Sequence, residues 1–322
     1  MMSQSLRIGI VGAGAIGMAL AGRLALAGQP VSIVARGPRR EAILKDGVRL
    51  CEAGATRTAF PAVIELAELA TADLIIVSVK TPSLPDLLPQ IASVMAPSAV
   101  LMPAVNGLPW WYFQGDGRFA GTALRSVDPT GGLSKLFDPE RLIGCVVYSR
   151  AAIGVDGEVI VQSEQRLRIG RVTPGPPPQT IADRLRAAGI VVSIEQNIRR
   201  EVWRKLVRNA STNLVSGLTG ATLEEIGRDP GLLEVVRDIA IEVIRLSEHV
   251  GSAAEVDIQE IIGEIKSAGP FATSMLQDIR AGRPPELDAL AEAPIEMANL
   301  LQCPMPTLRH VSSLLRARLR CG

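Results

Sequence analysis

Arg7-Ile-Gly-Ile-Val11 runs directly into Gly12-Ala13-Gly14-Ala15-Ile16-Gly17, and these two pieces together decide the fold. The first is a short apolar run that predicts a β-strand. The second carries glycines at the spacing G-x-G-x-x-G and opens a helical pattern from Ala15 to Ala27. Val31 to Ala35 reads as the next strand. In this setting each glycine answers a physical need. The first permits a tight turn, the second lets a pyrophosphate approach the backbone, and the third lets helix and strand pack closely. The helix N-terminus offers free N–H groups and a positive dipole end to phosphates. Gly12, Ala13, Gly14, Ala15, Ile16 and Gly17 are therefore the candidate dinucleotide loop. The plainer alternative is a glycine-rich turn with no ligand.

Working outward, Val63 to Leu69 reads as helical. Asp73 to Val79 is a nearly continuous apolar run, as expected of a parallel strand covered on both faces, and Ser98 to Met102 reads as another strand. This β-α-β series predicts an α/β fold with a doubly wound sheet. Ile143 to Tyr148, Glu158 to Val161 and Arg166 to Ile169 follow one another without helices and predict an antiparallel extension. Pro174-Gly-Pro-Pro-Pro178 resembles a linker, yet Gln179 to Ala188 reads as a further helix and Gly189 to Ile194 as a further strand of the same domain. Beyond Glu195 helical periodicity dominates. The expectation is a Rossmann-type N-terminal domain, residues 1–196, followed by an all-helical C-terminal domain, residues 197–322.

The chain has 322 residues and a formal net charge of +1, so no basic field points to nucleic acid or an anionic membrane. Cys51, Cys145, Cys303 and Cys321 are scattered, which argues against a disulfide framework or a structural metal and suits a reducing cytoplasm. Met1 to Ser5 reads as a polar lead-in rather than a signal peptide. Leu87 to Gly115 is uncharged, but Pro89, Pro97, Pro103 and Pro109 break it into short soluble elements rather than a membrane span. The high apolar content of the second half suggests a homodimer formed through it.

The end of the second strand bears on cofactor choice. An NAD site expects a carboxylate there for the ribose hydroxyls. This chain has Ala35-Arg36-Gly37-Pro38-Arg39-Arg40 instead. Guanidinium groups suit a phosphate, so the expectation is NADP(H), with Arg36 as its contact and Arg39 and Arg40 as solvated surface. Lys80 and Asn106 follow later strands, where open α/β sheets bind ligands. Each also admits a plainer role, as a strand-end lysine or an Asn-Gly turn residue.

Lys205, Asn209 and Asn213 recur every four residues, so they form one stripe of a helix otherwise lined by Trp203, Leu206, Val207, Ala210 and Leu214. Burying an ammonium and two carboxamides without partners is unfavourable, so a small polar substrate is expected to meet the stripe. Further on come Thr273-Ser274-Met275-Leu276-Gln277-Asp278 and Pro285-Glu286-Leu287-Asp288. An ammonium, a hydroxyl and a carboxylate are the parts needed to reduce a keto acid. Hydride addition leaves an alkoxide that a lysine can stabilise and protonate. Ser274 could instead cap a helix and Glu286 could be a surface carboxylate. Asp278, Asp288, His249 and His310 read as structural.

These pieces, together with Val79-Lys-Thr81, Asn106-Gly107 and Leu218-Thr-Gly-Ala-Thr222, resemble the ketopantoate reductase (2-dehydropantoate 2-reductase) family over nearly the whole chain. The resemblance implies NADPH-dependent reduction of 2-dehydropantoate to (R)-pantoate on the route to pantothenate. It implies a Rossmann-type domain and a helical domain with the active site in the cleft between them. It makes Lys205 the proton donor, with Glu286 beside it in catalysis. Asn209, Asn213 and Ser274 become substrate-binding residues. Lys80, Asn106 and Glu286 become positions that touch the cofactor or bridge it to substrate. Two features depart from the pattern. Pro109-Trp-Trp-Tyr-Phe113 and the long connection from Gly121 to Arg141 could reshape the pocket or simply pack against the second domain. The family's further asparagine has no counterpart in Gly220 to Glu225. A relative tuned to another branched or aromatic 2-keto acid, and a non-catalytic NADP(H)-sensing protein, are the competing readings. An opine-type dehydrogenase is disfavoured because it would be expected to use a histidine.

Overall fold

Ile8–Val11 (β1) is buried at every position because neighbours cover it on both sides. In this computed structural model, which describes residues 6–115 and 119–321, it pairs in parallel with Val31–Val34 (β2) and Leu74–Val77 (β6). Ala62–Ile64 (β5) and Val100–Pro103 (β7) complete a parallel five-stranded sheet of order β5-β2-β1-β6-β7. The helix Ala15–Leu26 (α1) packs into a core with Ile8, Ile10, Ile33, Leu74 and Ile76. Arg7 ties β1 to the start of β6, its Nη2 donating to Asp73 Oδ1 at 2.9 Å. That hydrogen bond holds the Asp73 carboxyl below the usual carboxylate range. The lead-in Met1 to Ser5 lies outside the described residues.

Several elements differ from the sequence expectation. Val63 to Leu69 is not one helix. Ala62–Ile64 is an edge strand, and a 3-10 turn, Leu66–Thr71, starts after Glu65. Glu65 and Glu68 form a capping box there, so the helical signal begins only past the β-branched pair Val63 and Ile64. Residues 37–59, which carry no clear strand or helix pattern in the sequence, hold the helix Gly37–Asp46 (α2) and the hairpin Val48–Glu52 (β3) and Ala55–Ala59 (β4). The uncharged stretch opens inside the helix Leu84–Val94 (α3), which carries Pro89 in its interior and ends before Pro97. Among the described residues no helix is long and apolar enough to cross a membrane.

The later strands divide between two small sheets. Ile143–Tyr148 (β8) runs antiparallel to Arg166–Arg171 (β11), and Val191–Ile194 (β12) adds to β11 in parallel. Val159–Val161 (β10) instead joins β3 in parallel and Ala151–Ile153 (β9) antiparallel. Gln179–Ala187 is a helix (α5), as its pattern predicts.

Two compact units emerge. The first comprises Met1–Val105, Phe113–Gly121 and Gly132–Ile198; the second comprises Asn106–Tyr112, Thr122–Gly131 and Arg199–Gly322. A single cut near residue 196 therefore leaves out two segments of the first half that belong with the helices. In the second unit Ile198–Thr219 (α6) is followed by Leu223–Arg228 (α7), Pro230–His249 (α8), Ile258–Ser267 (α9), Ser274–Arg280 (α10), Ala293–Leu300 (α11) and Pro306–Cys321 (α12). Leu206, Val207, Ala210 and Leu214 of α6 are buried, as are Ile239, Val243 and Leu246 of α8. The buried Glu242 accepts from Thr307 N and Leu308 N, satisfying orphan donors at the start of α12.

Candidate active site

In the first unit the glycine loop has the geometry its spacing predicts. Gly12 has φ +114°, and a Cβ there would sit 2.9 Å from the Ser78 carbonyl oxygen. A Cβ on Gly17 would lie 2.0 Å from the Gly12 carbonyl oxygen, so close helix–strand packing requires glycine. A Cβ on Gly14 would meet nothing within 4 Å, and Gly14 caps α1 without any side-chain bond. That open approach to a helix N-terminus is what a pyrophosphate needs. Ser78 Oγ donates to Gly12 O at 3.2 Å and staples the turn to the end of β6. Sequence reasoning missed this serine, whose hydroxyl has no signature beyond its place after a strand.

A cavity of about 430 Å³ opens beside the loop, lined by Gly12, Ala13, Ala35, Arg36, Val79 and the start of α3 among others. Arg36 is exposed at the N-cap of α2. Arg39 donates to Gly157 O at 3.3 Å and Arg40 pairs with Glu65 at 2.9 Å, so both are engaged within the unit rather than merely solvated. The cavity beside the open glycine fits a nicotinamide dinucleotide. Lys80 is exposed beyond β6, at the start of the 3-10 turn Thr81–Ser83.

In the second unit the α6 stripe meets residues distant in sequence. Lys205 Nζ donates to Asn106 Oδ1 at 2.5 Å, across 99 residues. Asn106 Nδ2 donates in turn to Glu286 Oε2 at 3.1 Å. Glu286 is 5% exposed, which removes the surface-carboxylate alternative, and its bond to Asn106 gives that residue more than a turn role. The chain of bonds also fixes the Asn106 amide: its N–H end faces the carboxylate and its oxygen faces the ammonium.

Asn213, two turns further along the stripe from Lys205, is buried, and its Oδ1 accepts from Met275 N and Ser274 Oγ, each at 3.4 Å. A backbone N–H can only donate, so the amide orientation is settled and Nδ2 points elsewhere. Ser274 is exposed and is not the cap of α10. Thr273 takes that part, accepting from Leu276 N at 3.3 Å. Asn209 lies half-buried between Lys205 and Asn213, and among the described residues its side chain makes no hydrogen bond.

The aromatic segment supports α6. Trp203 Nε1 donates to Tyr112 Oη at 2.6 Å, and the rings meet edge to face with centroids 5.8 Å apart. Arg199 Nε donates to Tyr112 O at 2.8 Å and its guanidinium lies 6.0 Å from the Trp111 ring. Trp111 and Tyr112 are thus core of the second unit, consistent with the packing alternative. Asp278 pairs with Arg283 and Asp288 with Arg316. His249 Nδ1 lies 2.8 Å from Arg245 O of its own helix, and His310 is exposed. Among the described residues no group of three or more His, Cys, Asp or Glu could hold a metal ion.

Known proteins match both halves of the chain. The family described as ketopantoate reductase PanE/ApbA matches residues 8–111, and the ketopantoate reductase PanE/ApbA C-terminal family matches residues 197–319. The chain belongs to the ketopantoate reductase family. A 2-dehydropantoate 2-reductase of Mesorhizobium japonicum is 36% identical over 97% of this chain and 97% of its own length. On that footing the chain is an oxidoreductase of the 2-dehydropantoate 2-reductase type. A solved protein of Ralstonia solanacearum MolK2, whose own ketopantoate reductase assignment is provisional, superposes with TM-score 0.92 at 33% identity, over 99% of each chain. D-mandelate dehydrogenase, solved with NADH and anilino(oxo)acetate, shares the fold at TM-score 0.83 and 20% identity, over 98% of this chain and 99% of that one.

Proposed function

We propose that this reductase converts 2-dehydropantoate to (R)-pantoate with NADPH, with Lys205 as proton donor. The observation that carries the proposal is the line of hydrogen bonds from Lys205 through Asn106 to the buried Glu286. NADPH, when bound, supplies the hydride that adds to the carbonyl carbon. Lys205 then gives its proton to the oxygen on which negative charge develops, and takes another from solvent. Asn106 holds the ammonium in place, and Glu286 holds Asn106 in the orientation that offers its oxygen to the lysine. The unbonded Asn209 amide and the remaining Nδ2 of Asn213 are donors for the substrate's carboxylate and hydroxyl oxygens, with the exposed Ser274 hydroxyl beside them.

Gly12 to Gly17 hold the pyrophosphate, and Arg36 takes the 2′-phosphate that distinguishes NADPH. Lys80 belongs to the same cofactor site. In this reading residues 1–196 serve the cofactor and residues 197–322 the substrate. Exposed Leu300 and Leu314 on the second unit support a homodimer through it, which analytical ultracentrifugation tests.

One competing reading has a specific basis. A fold shared with a D-mandelate dehydrogenase, and the missing asparagine in Gly220 to Glu225, favour a family member that reduces an aromatic or other branched 2-keto acid. Following oxidation of NADPH and of NADH against a panel of 2-keto acids separates the cases. Preferred turnover of ketopantoate with NADPH supports the proposal. Preference for an aromatic acid supports the competitor. Tight NADPH binding without turnover of any acid supports a sensing protein.

A further inference from the structure

The chain after Glu286 does not continue as a regular α-helix. Asp288–Glu292 is a π-turn leading into α11, and its wider winding shows in the bond from Ala293 N to Asp288 O, five residues back. Pro294 explains it. A proline at this point has no N–H for the Leu290 carbonyl, and its ring would collide with that carbonyl in an α-helix. The helix accommodates it by widening a turn, a device found often at functional sites.

The widening has a consequence for Ala289. In an α-helix its carbonyl would accept from Ala293 N, which here serves Asp288. In π geometry it would accept from residue 294, which is proline. The helix therefore has no donor for it, and Leu108 N donates instead, at 2.8 Å. Gly107, with φ +79°, lies flat against the same residue, where an added Cβ would be 2.5 Å from Ala289 Cβ and 2.6 Å from its carbonyl oxygen. Asn106 is the residue immediately before this contact, and Glu286 lies three residues before Ala289. The two partners of one hydrogen bond are thus anchored a few atoms away by a second, backbone one.

We infer that Ala289 and Pro294 are positioning residues: the π-turn frees the Ala289 carbonyl to clamp Gly107-Leu108, and this clamp sets Asn106 between Glu286 and Lys205. The inference rests on the proposed role of Lys205. It adds a reason for the π-turn and for glycine at 107 that neither substrate nor cofactor contact supplies.

Pro294→Ala restores an N–H and permits a regular helix, which would recapture the Ala289 carbonyl. The expected result is a fall in kcat of about ten- to hundredfold, as for small misplacements of a reacting group, with KM for NADPH and keto acid within about threefold. Thermal stability is retained, and the solvent deuterium effect on kcat rises because proton donation becomes slower. Gly107→Ala attacks the other side of the clamp and should show the same kinetic pattern, together with a loss of thermal stability from the clash with Ala289. In the wild-type enzyme the Leu108 amide should be protected from hydrogen exchange, a reading that requires no variant. Wild-type kcat and solvent isotope effect in Pro294→Ala, or losses matched by the fraction of enzyme unable to bind NADPH, would overturn the inference, as would an unprotected Leu108 amide. Lys205→Ala, assayed alongside, separates the two proposals. If it stays active, the proposed proton donor fails; if it is inactive while Pro294→Ala behaves as wild type, only the clamp fails.

Discussion

The Lys205 ammonium lies 2.5 Å from the side-chain oxygen of Asn106, a residue 99 positions earlier in the chain. The amide oxygen satisfies one of the ammonium's three donors, and the amide nitrogen donates in turn to Glu286 Oε2 at 3.1 Å.

On the proposed reading, the preference for NADPH rests on Arg36. Replacing it with alanine removes a charge-assisted contact worth about 1.5–3 kcal/mol. KM for NADPH should rise by about ten- to hundredfold while KM for NADH stays nearly constant. Steady-state kinetics with both cofactors test this, and equal changes in both would count against the assignment.

The Tyr112 hydroxyl accepts from Trp203 Nε1 where both side chains are fully buried. Tyr112→Phe leaves that indole N–H without its partner and should destabilise the protein by about 1–3 kcal/mol. Urea unfolding measures it. An unchanged midpoint would mean that the bond contributes nothing to holding α6.

The Arg7–Asp73 pair makes a pH-dependent contribution. Its hydrogen bond lowers the Asp73 carboxyl from its ordinary 3.8, so the fold favours the ionised form. The stabilisation is therefore present above that ordinary value and lost as pH falls through the lowered one. Asp73→Asn should lower Tm by about 1–2 °C at neutral pH, as befits an exposed pair. The difference should shrink as pH falls through the lowered carboxyl value. A gap that persists in acid would point to packing rather than charge.

What was legible in the sequence followed short-range rules. The glycine loop needed only its neighbours, because a tight turn, a phosphate approach and a helix–strand contact all fall within six residues. The stripe of Lys205, Asn209 and Asn213 needed only the helical period. Residues 37–59 were opaque for a local reason: the hairpin turns at Ala53-Gly54, which lacks the Asn-Gly or Asp-Gly signal, and β4 is largely exposed. The pairing of β10 with β3 was opaque for a distant one, since partners about a hundred residues apart leave no local mark. Asn106 illustrates both limits. Its place after a strand marks it locally, but its position between Lys205 and Glu286 depends on a π-turn that a proline, not a motif, creates.

The most direct test of the account is Lys205→Ala assayed for ketopantoate reduction with NADPH. The account predicts that kcat/KM falls by about 10²–10⁴-fold, the usual contribution of a general acid, with the dissociation constant for NADPH changed by less than about threefold. Ketopantoate reduction at the wild-type rate in that variant would contradict it.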